Sequence, residues 1–126
     1  MADRFTLELP PEPISIGTAR LFSATVARFF GTQEETVEDL KLAVSEACTV
    51  AIRANEAHGR RVHLAIEGGH PALTFSIPDG GSEVSDRTDP LEVASGELIH
   101  TLFPSAEFAP TEDGRADVRF SIPTSA

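Results

Sequence analysis

Residues 36–55 read TVEDLKLAVSEACTVAIRAN, the longest segment of the chain with an unbroken helical period. Val37, Leu40, Ala43, Val44, Ala47, Cys48, Ala51 and Ile52 recur at steps of three and four, which gathers them on one apolar face. Glu46 interrupts the pattern. At about 100° per residue it lies roughly 60° from Ala43 and roughly 100° from Ala47, at the edge of the buried stripe. A carboxylate there is either solvated or aimed into a cleft, and the function of the chain depends on which.

Upstream of this helix, Arg4 to Leu9 alternates as a half-buried strand with Phe5, Leu7 and Leu9 on one side. Pro10, Pro11 and Pro13 stop it. A helix follows from Ser15 or Thr18 to Phe30, with Leu21, Phe22, Thr25, Val26, Phe29 and Phe30 as its apolar stripe and Gly31 as its C-terminal cap. Thr32 and Glu35 have the spacing of a capping box that would start the central helix. Glu34, Glu35, Glu38 and Asp39 crowd its N-terminal end, where the helix dipole favours them.

Downstream, Arg61 to Glu67 and Ala72 to Ile77 alternate on either side of Gly68-Gly69-His70-Pro71 and read as an antiparallel hairpin. Pro78-Asp79-Gly80-Gly81 is expected to break the second strand. Ser82 to Pro90 is polar and without period, a loop. Leu91 to Phe103 is a helix candidate with Leu91, Ala94, Leu98 and Leu102 as its stripe and Gly96 in its middle. Ala106 to Ala109, the turn Glu112-Asp113-Gly114 and Ala116 to Ile122 close the chain as a hairpin. Consecutive hairpins rather than βαβ repeats predict an α+β fold: one domain over residues 1–126, a two-layer sandwich whose mixed, mostly antiparallel sheet is covered on one face by three helices.

The 126 residues suffice for a sizeable core. Twenty acidic against ten basic side chains give a formal charge of −10, which repels phosphate backbones and argues against direct nucleic-acid binding. No apolar run approaches the length of a membrane helix, and no basic-then-apolar leader opens the chain, so a soluble cytoplasmic protein is expected. Cys48, the single cysteine, falls on the apolar face and reads as a small buried hydrophobe. The four histidines (His58, His63, His70 and His100) lack ligand spacing, and no metal site is expected from them. Walker, GxGxxG, CxxC and HExxH patterns are all missing.

What remains is a constellation: Glu46, then Asp79-Gly80-Gly81 after a strand, then Gly96. Glycine admits close approach of a ligand to the backbone, and an aspartate accepts from an exocyclic amine. Taken alone, Pro-Asp-Gly-Gly is more commonly a plain turn.

The order of these residues is that of a known family. LKLAVSEACTVAI, Leu40 to Ile52, resembles the N-box helix of the GHKL (Bergerat-fold) ATPase superfamily, and within it the small bacterial anti-sigma factor serine kinases. The resemblance makes Glu46 the catalytic base, Asp79 the residue that reads the adenine amino group, Gly81 the first glycine of the G1 box and Gly96 a remnant of the G2 box. It implies ATP or ADP with Mg²⁺ as cofactors, and a sigma factor and a STAS-type antagonist as protein partners. It also implies a homodimer, for which Arg4 to Leu9 is a candidate edge. Phe108 to Pro123 resembles the family's C-terminal hairpin.

Three departures stand against the cofactor. Val50 occupies the position of the Mg-binding asparagine and has no oxygen to offer a hard cation. Asn55 does not replace it, being about 140° further round the helix. Glu83 stands where the second G1 glycine belongs, and Glu97 follows Gly96. These departures imply a retained fold with a degenerate Mg-ATP site. Three readings stand open at this stage: a binding module that holds a sigma factor or a STAS antagonist, an active serine kinase with Glu46 as base, and a structural domain whose Glu46 is merely solvated.

Overall fold

The computed structural model describes residues 3–82, 89–111 and 114–125. The expected acid at Glu83, most of the Ser82–Pro90 loop, and Glu112 and Asp113 of the closing turn lie outside the described residues.

Strand β1 (Asp3–Leu9) leads into helices α1 (Ser15–Phe29) and α2 (Glu34–Asn55), then a 3-10 turn at Glu56–His58. Strands β2 (Val62–Gly68) and β3 (Ala72–Ser82) follow, then helix α3 (Pro90–Leu102) and strands β4 (Glu107–Pro110) and β5 (Arg115–Pro123). The sheet order is β1-β2-β3-β5-β4. All four pairings are antiparallel, so the mixed component expected from the sequence does not occur among the described strands. The reason is topological: an antiparallel helix pair between β1 and β2 returns the chain in the opposite direction.

The sheet alternates as its sequence does. Leu64, Ile66, Leu73, Phe75, Ile77, Val118, Phe120 and Ile122 are buried toward the helices, while His63, Glu67, Arg119 and Ser121 are exposed on the open face. Phe120 stacks on Phe75 with ring centroids 5.6 Å apart and on Phe103 at 4.8 Å, filling the centre of the core. The stripe of α2 is buried throughout, from Val37 to Ile52, and Val50 joins it at 2% exposure. Cys48 lies in this stripe, and burial pushes its thiol up to about 12.

Four expectations are corrected. The apolar stripe of α1 holds at Val26, which is buried, and at Phe22 and Phe30, which pack against the core, but not at Thr25, Leu21 and Phe29, the last two 68% and 80% exposed; Ala19, Ser23, Ala24 and Ala27 are buried instead. These small side chains let α1 lie close against α2 and leave Leu21 and Phe29 outside the contact. On α3 the buried residues are Ser95, Gly96 and Ile99; of the expected stripe, Leu102 packs against the core and Leu98 is half-buried, while Leu91 and Ala94 are exposed at the rim of an open cavity. Thr32 forms no capping box: Gln33 is the N-cap of α2, without a side-chain cap bond, and Thr32 donates instead to the Pro123 carbonyl at 3.0 Å. Gly31 does end α1 as expected, at φ 77° with the paired bonds Gly31 N–H to Arg28 O and Thr32 N–H to Ala27 O of a Schellman turn. Finally, Pro78-Asp79-Gly80-Gly81 does not terminate its strand. The register of β3 on β5 shifts between Ile77 and Gly81 and pairing then resumes, Gly81 opposite Ala116. The segment is a bulge, the one interruption a ladder tolerates at a proline and two glycines.

Candidate functional site

The bulge is held by its neighbours. Asp79 adopts φ 59°, a left-handed conformation that aspartate accepts more readily than most residues, and its N–H donates to Asp117 Oδ1 at 3.0 Å. A Cβ added at Gly80 would lie 3.1 Å from the Ala47 Cβ, so α2 rests directly on the bulge. A Cβ at Gly81 would lie 2.7 Å from the Phe108 ring, which fills the space over this glycine. Gly81 therefore accommodates an aromatic side chain from β4 and is not an open cradle.

Glu46 is half-buried on α2. Its Oε2 accepts from the Ser95 hydroxyl of α3 at 2.8 Å. It lines a cavity of about 350 Å³ between the two helices, with Val50, Arg53, Leu91, Ser95 and Leu98. Asp79 lines another, of about 330 Å³, with Asn55, Arg60, Arg61 and His63. The two carboxylates thus do not line one cavity. A wider hollow of about 480 Å³ over β1 and β2 contains neither. Gly96 sits in the interior of α3, buried beside Ser95, and does not open the helix.

The N-terminus of α3 is anchored by charges that sequence reading missed. Asp89 is its N-cap, with Pro90 at the first helical position, and the Asp89 carboxylate accepts from Leu91 N–H at 2.9 Å. The Leu91 N–H first, then the Arg53 guanidinium of α2 with which it pairs, hold Asp89 below the usual carboxylate range. One turn on, Glu92 pairs with Arg115 of β5 at 3.1 Å, the two side chains only 10% and 22% exposed. The same Arg115 Nη2 donates to the Val50 carbonyl at 3.3 Å, and its Nε is buried without a partner among the described residues. Asp-Pro before a helical period is a readable N-cap signal. Nothing in the sequence announces that Arg115, 65 positions from Val50, closes on it. Among the described residues no cluster of three or more His, Cys, Asp or Glu side chains is arranged for a metal ion. No helix among them is long and apolar enough to cross a membrane.

This framework, a helical layer on a five-stranded antiparallel sheet with a glutamate-bearing helix packed over a β-bulge, matches a family profile across most of its length. Residues 9–118 match the histidine kinase-like ATPase domain, and the chain belongs to that family. Among curated proteins it is similar to the serine-protein kinase RsbW of Bacillus licheniformis, 30% identical over 94 residues that cover 73% of this chain and 54% of that protein. The RsbW proteins of Bacillus velezensis and Bacillus subtilis are 43% and 42% identical over 51 and 52 residues, about two-fifths of this chain and 32% of theirs. The chain thus spans between a third and about half of the length of these relatives.

Proposed function

We propose that this chain is an anti-sigma-type regulator, a cytoplasmic protein-binding module that holds a sigma factor, a STAS-type antagonist or both, and whose Mg-ATP site is degenerate. One observation carries the second half of this reading: Val50, whose side chain has no oxygen, is 2% exposed and has a guanidinium on its backbone carbonyl. Arg115 lies against the carbonyl of Val50, the residue that replaces the family's metal-binding asparagine, and against the Glu92 carboxylate. The residues present do not fit Mg²⁺. Val50 offers no side-chain oxygen, Glu92 is spoken for by Arg115, and a second cation beside a buried guanidinium is repelled. The helix terminus that would cradle phosphate is closed by its own Asp89 carboxylate, which accepts from the N–H group an anion would seek.

The protein-binding half is supported by large apolar side chains left exposed: Ile14 before α1, Leu21 and Phe29 on α1, and Leu42 on α2. A homodimer through the free edge of β1 belongs to the same reading.

The second reading is an active serine kinase. Glu46 favours it, since it is retained, half-buried and on a cavity wall, where a general base belongs. Incubation with radiolabelled ATP and a STAS-domain antagonist separates the two. Co-purification with sigma factor or antagonist without phosphoryl transfer is the expected outcome. Transfer that Glu46→Gln abolishes would establish the kinase instead.

A further inference from the structure

The charges around α3 have a consequence that rests on this reading of the site but extends it to regulation. We propose that Arg115 is a positioning residue that serves as the built-in cation of this domain, docking α3 on α2 and β5 with no ligand bound, so that the arrangement of α3 does not depend on nucleotide.

The geometry is that of a clamp. One guanidinium joins three elements: Arg115 opens β5, its Nη2 reaches Glu92 in the first turn of α3 at 3.1 Å, and the same nitrogen reaches the Val50 carbonyl on α2 at 3.3 Å. Glu92 is 10% exposed, and a carboxylate that enclosed requires a cationic partner. A second clamp stands one turn away, where Arg53 of α2 pairs with the Asp89 cap. Ser95 of α3 adds a third tie through its bond to Glu46. Each of these contacts leaves α3 for a neighbouring element. All of them converge on the N-terminal half of α3, and two of them, Arg53 and Arg115, set a guanidinium against the carboxylates of its first turn. A phosphate ligand would have to displace Asp89 from the helix terminus and compete with Glu92 for Arg115. Order at this end of α3 therefore precedes any ligand.

Hydrogen–deuterium exchange of the full chain without nucleotide tests this. The amides of the first two turns of α3 are expected to be protected in the parent. In Arg115→Met they should exchange about tenfold faster or more, while those of β2 and β3 stay within about twofold. If Arg115→Met does not fold, Glu92→Gln, which keeps the shape and removes the charge, is read at the same amides with the same expectation. Arg115→Lys, which keeps the charge and loses the fork, should fall between parent and Arg115→Met. Unprotected α3 amides in the parent, or α3 exchange unchanged in the variants, would overturn the clamp. Neither result depends on ATP. Tight Mg-ATP binding measured by calorimetry would instead overturn the degenerate site, so the two failures are distinguishable.

Discussion

Replacing Val50 by asparagine restores the residue type that the resemblance places there, and the proposed degenerate site predicts that restoration fails. Val50 is 2% exposed, so the substitution removes about 1.5–2 kcal/mol of apolar transfer energy. It also buries an amide whose donors and acceptor find few partners, because the nearest cation, Arg115, is already engaged by the backbone carbonyl and Glu92. Unmet hydrogen-bonding groups cost about 1–3 kcal/mol. The two terms sum to about 2.5–5 kcal/mol, which for a domain of this size is a fall in Tm of about 9–18 °C. Calorimetric unfolding with and without Mg-ATP measures both the loss and any rescue. A variant as stable as the parent would show that the site has room for polar chemistry. A variant that Mg-ATP raises by several degrees would show that Val50 alone disables nucleotide binding and would overturn the reading of a wholly degenerate site, while the Arg115 clamp stands or falls on its exchange test.

Other outcomes follow from particular contacts. Cys48, buried and with its thiol pushed up to about 12, should not react with an aromatic disulfide reagent in the native protein and should react fully in denaturant; fast native labelling would contradict its placement. Gly81→Ala should push the Phe108 ring aside and cost about 1–2 kcal/mol, read from the urea midpoint, and an unchanged midpoint would remove the claim that Phe108 fills this space. Asp89 has a lowered pKa, so its contribution is complete above the ordinary carboxylate range and is lost as pH falls through the lowered value. Asp89→Asn keeps a cap but does not titrate, and its Tm curve should therefore be shallower than the parent's below about pH 4, whereas parallel curves would refute the assignment.

Much of the fold was legible because the period of α2 and the alternation of the strands are both enforced by burial. The stripe from Val37 to Ile52 is buried as its spacing requires, and Leu64, Ile66, Leu73, Phe75 and Ile77 face inward as theirs does. The stripes of α1 and α3 were misread in part, right at Val26 and Leu102 but wrong at Leu21, Phe29 and Leu91, because close helix packing selects small residues. Ala19, Ala24, Ser95 and Gly96 carry no hydrophobic signal comparable to Leu21, Phe29 or Leu91, yet they are the ones buried. Pro78 to Gly81 looked like a strand terminus because local chemistry does not report that β5 resumes pairing beyond it. At the site, Glu46 and Asp79 stood out by type and position. The Arg115 contacts did not, because a basic residue in a closing strand is ordinary until the tertiary fold brings it to Val50.

The central claim is that this domain keeps the framework of a histidine kinase-like ATPase domain while its proposed Mg-ATP site is degenerate. Titration of the full chain with Mg-ATP, followed by calorimetry and by Tm, tests it most directly. The account predicts no heat of binding and no change in Tm at about 1 mM nucleotide. Binding with a Kd of about 100 μM would stabilise the protein by about 1.4 kcal/mol at that concentration, a rise of about 5 °C, and would contradict the account.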